Sequence, residues 1–203
     1  NKGYEQVVKY LVEFGAAAQE GIKASVEGNH TKIVDFLLTS GAKPKDLVKI
    51  AANHNNPQVV SLLCKFGDAP KPGMMPAVTK GFVEVAQVLV GLGVDPKPYE
   101  YLRAAVDNNK APMAKFLLDN GSDVNHKVEN DLTLLHIAAN NRAAGELVKV
   151  LLEKGADVNA VETKNGNTPL HVAVRHKGEK GNNNMVAVEA LVKAGAGVNN
   201  VNW

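Results

Sequence analysis

A cluster of apolar residues followed by a glycine recurs along the chain. Within each cluster the apolar positions follow an i, i+3, i+4 spacing, which places them on one face of an α-helix. Glycine readily adopts the left-handed conformation that ends many helices, so we predict that a helix stops just before each of these residues. The glycines are Gly15, Gly41, Gly67, Gly93, Gly121, Gly155 and Gly195.

A second pattern precedes the apolar cluster and predicts another helix. A small residue lies 16 positions before four of the glycines, at Ser25, Ala51, Ala77 and Ala105. Four positions later comes a residue that tolerates a positive φ, at Asn29, Asn55, Gly81 and Asn109. Pro57 falls where a second helix should begin. Each repeat is therefore expected to be a short first helix, a tight turn and a second helix, in antiparallel pairs that stack into a solenoid.

Two stretches near the C-terminal end show the repeat in a more recognisable form. Residues 132–139 with 147–160, and residues 165–173 with 194–199, resemble ankyrin repeats through a Thr-Pro-Leu-His element (168–171) and a Gly-Ala-Asp-Val-Asn element (155–159). The resemblance implies that Thr168 caps a helix beginning at Pro169, and that His136 and His171 secure turns by hydrogen bonds. Because the resemblance covers the whole chain, it implies an all-α ankyrin-repeat solenoid of stacked antiparallel helix pairs.

The repeat length changes along the chain. From the glycine to the next small residue takes 17 positions between Gly121 and Ala138, but 10 in the first three repeats and 12 in the fourth. The resemblance assigns the additional positions to the β-hairpin finger, so we expect fingers only in the C-terminal part, around residues 125–131 and 159–167. In the shorter repeats we expect Asp46 to replace threonine as a helix cap. The histidine slot is filled there by Lys23, Lys49 and Arg103.

We interpret the chain as a single ankyrin repeat domain and as a fragment of a longer protein. Its expected units are 1–17, 18–43, 44–69, 70–97, 98–127, 128–161 and 162–203. The last unit carries about six additional residues in the segment 177–184, which is polar and is expected to form a loop between two helices.

Charge and cysteine content narrow the class of partner and the compartment. Lys plus Arg number 23 and Asp plus Glu 21, which argues against an electrostatic grip on nucleic acid or on an anionic membrane. No apolar stretch approaches the roughly 20 residues that a membrane span needs. The single cysteine, Cys64, occupies an apolar slot and forms no internal disulfide. A reducing, cytoplasmic location is expected.

Candidate chemistry is sparse. His136 and His171 occupy equivalent slots and could be a metal pair, but the cysteines and carboxylates of a zinc site are absent, so the hydrogen-bonding role is preferred. Cys64 with His54 could be a nucleophile and its base, but a cysteine in a core slot should be inert. We therefore expect no catalytic residue, no metal and no cofactor in this segment.

The remaining candidate is a surface for a partner. In ankyrin repeats the first helices and the fingers form the concave face that usually binds the partner. Apolar residues at its exposed slots either mark an interface centre or pack between neighbouring first helices. Two tyrosines beside the change in repeat length are candidate aromatic anchors. The predicted partner-binding residues are Ile50, Asn53, His54, Thr79, Lys80, Tyr99, Tyr101, Ala104, Asp107, Asn108, Ile137, Asn140, Asn141, Val172, Arg175 and His176.

These observations predict a module that binds a protein or peptide on its concave surface, mostly from about Tyr99 onward. Nucleic acid, membrane and small-molecule substrates are not expected partners. The alternative is the targeting or substrate-recruitment domain of a larger multidomain enzyme, such as a secreted bacterial effector acting in the cytosol of a host cell. That alternative rests on analogy with the family alone.

Overall fold

The computed structural model describes residues 2–141, 143–175 and 184–200. These residues fall into two compact parts, the first unit (residues 1–95) and the second unit (residues 96–203). The fold is all-α, as predicted, and in each unit the helices form two layers of stacked pairs. No helix in the described residues is long and apolar enough to cross a membrane.

The first unit consists of seven helices in the residues described. In chain order they are α1 (Lys2–Glu13), α2 (Ala18–Glu27), α3 (Thr31–Thr39), α4 (Val48–Asn53), α5 (Pro57–Lys65), α6 (Met74–Lys80) and α7 (Val83–Gly91). A 3₁₀ turn, Lys71–Gly73, precedes α6. The first helices α2, α4 and α6 pack side by side, and each contacts its own second helix, α3, α5 or α7.

The second unit repeats this arrangement with longer connections. Its helices are α8 (Tyr99–Asp107), α9 (Ala111–Asp119), α10 (Leu134–Ala139), α11 (Gly145–Glu153), α12 (Pro169–Arg175) and α13 (Met185–Lys193). The first helices α8, α10 and α12 form one layer, and the second helices α9, α11 and α13 form the other. The predicted 177–184 loop lies outside the described residues except for Asn184.

The glycine and asparagine pattern has the backbone conformation that the sequence predicts. All seven repeat glycines have positive φ, from 85° at Gly155 to 102° at Gly67. The turn residues Asn29, Asn55 and Asn109 have φ between 52° and 57°, and Gly81 has φ 80°. Pro57 and Pro169 are the first residues of their helices. The helix boundaries therefore follow from local backbone preference.

Small residues lie where neighbouring helices approach. Ala51, Ala77, Ala105 and Ala138 are each at most 1% exposed. The aliphatic residues of the second helices complete the core of each unit, with Val34, Val60 and Leu89 fully buried in the first and Leu117, Leu147 and Leu191 in the second. The small alanines let the first helices approach closely, and the aliphatic residues of the second helices fill the remaining space.

The prediction that Asp46 caps α4 is wrong. Asp46 takes a positive φ of 59°, and the N–H groups of Asp46, Leu47 and Val48 donate instead to the Asp68 carboxylate at 2.8–3.0 Å. Asp68 is only 8% exposed and belongs to the next junction, immediately after Gly67. The cap is therefore supplied across the stack by a residue 22 positions from Asp46.

The fingers occur in the second unit, as predicted, but they are less regular than hairpins. A single β-bridge in the described residues pairs Lys127 with Thr133. Asn130 and Asp131 make the tip of this first finger with φ of 60° and 56°. The Thr163 N–H donates to the Asn130 carbonyl at 2.8 Å, which links the second finger to the first. The fingers are thus held by individual hydrogen bonds and not by a regular strand ladder.

Candidate functional site

His136 secures the start of α10. Its Nδ1 accepts from the Thr133 N–H at 3.3 Å and lies 2.9 Å from Thr133 Oγ1, while its Nε2 donates to the Asn167 carbonyl at 3.1 Å. The imidazole is 1% exposed, and burial lowers its pKa because the charged form is poorly solvated there. The neutral ring therefore joins the helix start to the second finger.

His171 repeats this arrangement one repeat later. Its Nδ1 accepts from the Thr168 N–H at 3.1 Å, and its Nε2 donates to the Asn200 carbonyl at 2.8 Å. Because both ring nitrogens of each histidine are engaged in hydrogen bonds, the structural role preferred from the sequence is confirmed. The described residues contain no group of three or more potential metal-ligating side chains.

Glu162 organises the second finger from inside. Its carboxylate is 4% exposed and accepts from the Lys164 N–H at 2.7 Å, the Asn165 N–H at 3.1 Å and the Asn167 side-chain amide at 2.7 Å. Burial alone would raise the pKa of this carboxyl group, but the hydrogen bonds from Asn167, Lys164 and Asn165 outweigh it and lower the pKa to about 2. A charged carboxylate thus fixes the finger from 162 to 167.

A groove of about 450 Å³ runs between the fingers and the first helices of the second unit. We call it the finger groove. Its apolar part is formed by Leu132, Ile137 and Val172. Polar and charged residues supply the rest of the lining: Arg103, Glu129, Asn130, His136, Asn140, Glu162, Lys164, Asn165, Asn167 and Arg175.

The finger groove brings together four of the predicted partner-binding residues: Ile137, Asn140, Val172 and Arg175. Ile137 is half-buried and Asn140 and Arg175 are exposed, whereas Val172 is only 8% exposed. Val172 therefore serves mainly as packing between first helices, the second of the two roles weighed from the sequence, and offers only an edge to the groove.

The predicted residues around α8 have mixed environments. Tyr99 is half-buried and its ring stacks on His126, with centroids 4.1 Å apart. Tyr101 is 7% exposed, so the expectation of an aromatic anchor at this residue finds little accessible surface. Asp107 accepts from Arg103 Nε at 2.8 Å, and the Asn108 amide donates to the Ala104 carbonyl at 2.8 Å. Ala104 is half-buried.

The predicted residues of the first unit engage their own or a neighbouring helix. His54 Nδ1 lies 2.8 Å from the Ile50 carbonyl, and Thr79 donates to the Met75 carbonyl at 3.0 Å. Lys80 Nζ donates to the Asn53 carbonyl at 3.2 Å. These residues lie outside the finger groove. Of the remaining predicted residues, Asn141 accepts from the Ala143 N–H at 3.0 Å, and His176 lies outside the described residues.

Cys64 is half-buried in α5. Burial, with a smaller effect from the charge of Asp68, raises the pKa of its thiol to about 11. The thiol form therefore dominates at neutral pH, which supports the interpretation of Cys64 as a small hydrophobic residue and not a nucleophile.

Two structural roles were not predicted from the sequence. Glu162 carries no motif of its own, and its role depends on the finger folding around it. Asn125 and Asn159 follow their repeat glycines by four positions, and each clamps the next repeat: Asn125 receives a bond from the Asp157 N–H at 2.8 Å and donates to the Gly155 carbonyl at 3.0 Å. Their regular spacing was the available signal.

Comparison with known families agrees with this geometry. A family model described as "Ankyrin repeats (3 copies)" matches residues 102–202. The solved human ASB11 ankyrin repeat domain superposes with a TM-score of 0.74 over 95% of this chain and 94% of that one, at 21% identity. The chain is an ankyrin repeat protein. The ankyrin repeat domain of Bcl-3 has the same fold, with a TM-score of 0.63 over 93% of this chain and 91% of that one, at 23% identity.

Sequence relatives of this ankyrin repeat protein match about half of it or less. It is 39% identical to human Rabankyrin-5 over 85 residues, which cover 36% of this chain and 7% of that protein. It is 36% identical to the mouse B-cell lymphoma 3 protein homolog over 102 residues, which cover 48% and 21%. Palmitoyltransferase Hip14 of Drosophila melanogaster is 44% identical over 81 residues, which cover 39% and 12%. The chain thus spans about a fifth or less of the length of these relatives.

Ankyrin repeats indicate a protein–protein interaction module, and this sets the coarse function of the chain. Ankyrin repeat domains are generally non-catalytic, although some relatives are parts of enzymes, as the palmitoyltransferase shows. The finger groove is the place in the second unit where predicted binding residues of this ankyrin repeat protein meet.

Proposed function

We propose that the chain binds an extended segment of a partner protein in the finger groove. The proposal rests on one observation. A single groove of about 450 Å³ contains a half-buried apolar patch, formed by Leu132 and Ile137, and a polar and charged rim around it. An apolar centre surrounded by polar groups is the usual anatomy of a protein interface. The groove is concave, so a side chain of the partner can insert into it and cover the apolar atoms of its lining, which a flat partner surface could not do.

The hydrogen bonds beneath the groove support this proposal. His136 and Glu162 fix the helix start and the second finger, so the groove is shaped before a partner arrives. A preformed site loses less conformational entropy on binding and so binds more tightly for the same contacts. The partner is therefore expected to lie on the second unit, with the predicted residues of the first unit contributing less.

Affinity capture with matched variants tests the proposal. Ile137→Glu places a charge in the apolar patch, and Lys115→Glu changes the charge of an exposed residue on the second helix α9, away from the groove. Proteins retained from a source-cell extract by the wild type and by Lys115→Glu should be lost with Ile137→Glu, as quantified by mass spectrometry. Circular dichroism must show that all three stay helical. If folded Ile137→Glu retained the same proteins as the wild type, the proposal would be wrong.

A second candidate function is recruitment for a larger protein that carries another activity. It is favoured by the small share of each relative that the chain matches and by the palmitoyltransferase among them. A secreted bacterial effector in a host cytosol is one form of this proposal, and a cytoplasmic location accompanies it. The full-length coding sequence and imaging of a fluorescent full-length fusion test both points. A full-length protein made of repeats alone would contradict the recruitment proposal.

A further inference from the structure

The charges that line the finger groove are not all available to a partner. Three cationic side chains, Arg103, Lys164 and Arg175, and two carboxylates, Glu129 and Glu162, contribute to its lining. Arg103 is committed to Asp107, because its Nε lies 2.8 Å from both carboxylate oxygens. The Glu162 carboxylate is committed to the finger, because donors from three residues surround it and leave it 4% exposed.

The uncommitted charge is mostly positive. Lys164 and Arg175 are exposed, and neither forms an ion pair with any carboxylate in the described part of the chain. Glu129, on the first finger, is the one exposed carboxylate that lines the groove. A ligand that enters the groove thus meets two available cations and one available anion beside the apolar patch of Leu132 and Ile137.

We infer that the partner segment is an acidic peptide with one apolar anchor. This rests on the proposed function and specifies its ligand. The apolar side chain covers Leu132 and Ile137, and flanking carboxylates pair with Lys164 and Arg175. Arginine can bind a carboxylate through two parallel hydrogen bonds, whereas lysine acts as a point charge. A basic segment would bring its charge against both cations, so electrostatics selects against it.

A displayed random peptide library provides the probe. Peptides are selected on the wild-type chain after removal of those that bind Ile137→Gln, a neutral change that disrupts the apolar patch without adding charge, which leaves the binders that depend on the groove. The expected outcome is enrichment of Asp and Glu beside an aliphatic or aromatic residue. Affinities of synthetic copies should fall as salt is raised, because exposed charges at an interface rim are screened.

Charge reversal makes the test specific. The double variant Lys164→Glu/Arg175→Glu should weaken the selected peptides by about tenfold, since each exposed attraction becomes a repulsion. Lys115→Glu, the matched control, should leave affinity within about twofold, because surface changes outside a contact have little effect. Peptides with their acidic residues replaced by lysine should regain affinity for the double variant, which a merely misfolded groove would not produce.

The outcomes separate this inference from the proposed function. Groove-dependent peptides that are neutral or basic, or that bind the double variant as well as the wild type, would overturn the acidic ligand and leave the binding groove intact. Absence of any peptide that distinguishes the wild type from Ile137→Gln would overturn both.

Discussion

The two units build the same helix pairs but close their junctions differently. In the first unit a junction is short, and the start of α4 is held by Asp68, which reaches back from the following junction. In the second unit a finger is present, and the starts of α10 and α12 are held locally by the Thr133–His136 and Thr168–His171 pairs. The fingers add a wall beside the first helices, and the finger groove forms against it.

The units share one device that does not depend on fingers. At some junctions, the residue four positions after the repeat glycine has an amide side chain that binds the backbone of the next repeat. Gln19 does this with Lys43 at 2.9 and 3.2 Å in the first unit, and Asn159 does it with Gly197 at 2.9 Å in the second. This contact between repeats thus occurs in both units, although in the first it is made at the Gln19 junction and positions 45 and 71 are lysines, whereas the groove is a property of the second unit.

The largest expected effect comes from removing the buried histidine. His136→Ala should lower the free energy of unfolding by about 3 kcal/mol. The substitution leaves a cavity, and the buried Asn167 carbonyl and Thr133 N–H lose their hydrogen-bond partner. Lys49→Ala, at the equivalent slot of the first unit, should change it by less than about 0.5 kcal/mol, since Lys49 is exposed. Urea denaturation measures both. Equal losses would show that the histidine slot has the same weight in both units.

The second finger should depend on its buried carboxylate. Glu162→Ala should lower the free energy of unfolding by about 2 kcal/mol, because several N–H donors lose a charged acceptor and only some of them can bind water instead. Groove-dependent peptide binding should fall as well, since the finger loses its fixed shape. Glu162→Gln keeps one acceptor oxygen, so its free energy of unfolding should lie between those of the wild type and Glu162→Ala. A Glu162→Ala variant with unchanged peptide affinity would show that the finger holds its shape without this residue.

The junction of the first unit gives the next effect. Asp68→Ala should lower the free energy of unfolding by about 1.5 kcal/mol, as expected for loss of a helix cap, because three N–H groups at the start of α4 lose their acceptor. Asp46→Gly should stay within about 0.5 kcal/mol, since the side chain of Asp46 is not the cap and glycine accepts its positive φ. Thermal unfolding compares the two. A larger loss from Asp46→Gly would restore the sequence-based assignment.

The smallest effect is a dependence on pH. The pKa of His136 is lowered in the folded state, so the unfolded chain binds more protons below the ordinary histidine value of 6.5. The contribution of the neutral, buried ring to stability is therefore fully present above that value, and the free energy of unfolding declines as pH falls below it. The decline should be smaller in His136→Gln, measured by urea denaturation at each pH. An equal decline in both proteins would assign it to other groups.

Particular residues show how far the sequence reached. The glycines with positive φ, the turn asparagines and the prolines that start α5 and α12 follow from local backbone preference, so their conformations were predictable. The histidines were assigned correctly because a motif marks them. The burial of Tyr101 was not predictable, because it depends on how α8 packs. The Lys80 bond to Asn53 likewise depends on a contact between residues 27 positions apart.

The sequence by itself determined where the repeat helices end, that α5 and α12 begin at prolines, which repeats carry fingers, and that small residues face the helix contacts. Each of these follows from local conformation and from periodicity. Only the tertiary structure decided that Asp68 caps α4, that Glu162 is sealed inside the second finger, and that Ile137 and Arg175 share one groove. The Asp68 cap and the shared groove depend on distances between repeats, whereas the Glu162 contacts depend on the folded shape of a finger that carries no motif for them. A hydrogen-bond partner or a groove wall supplied by the next repeat cannot be inferred from one repeat's own pattern.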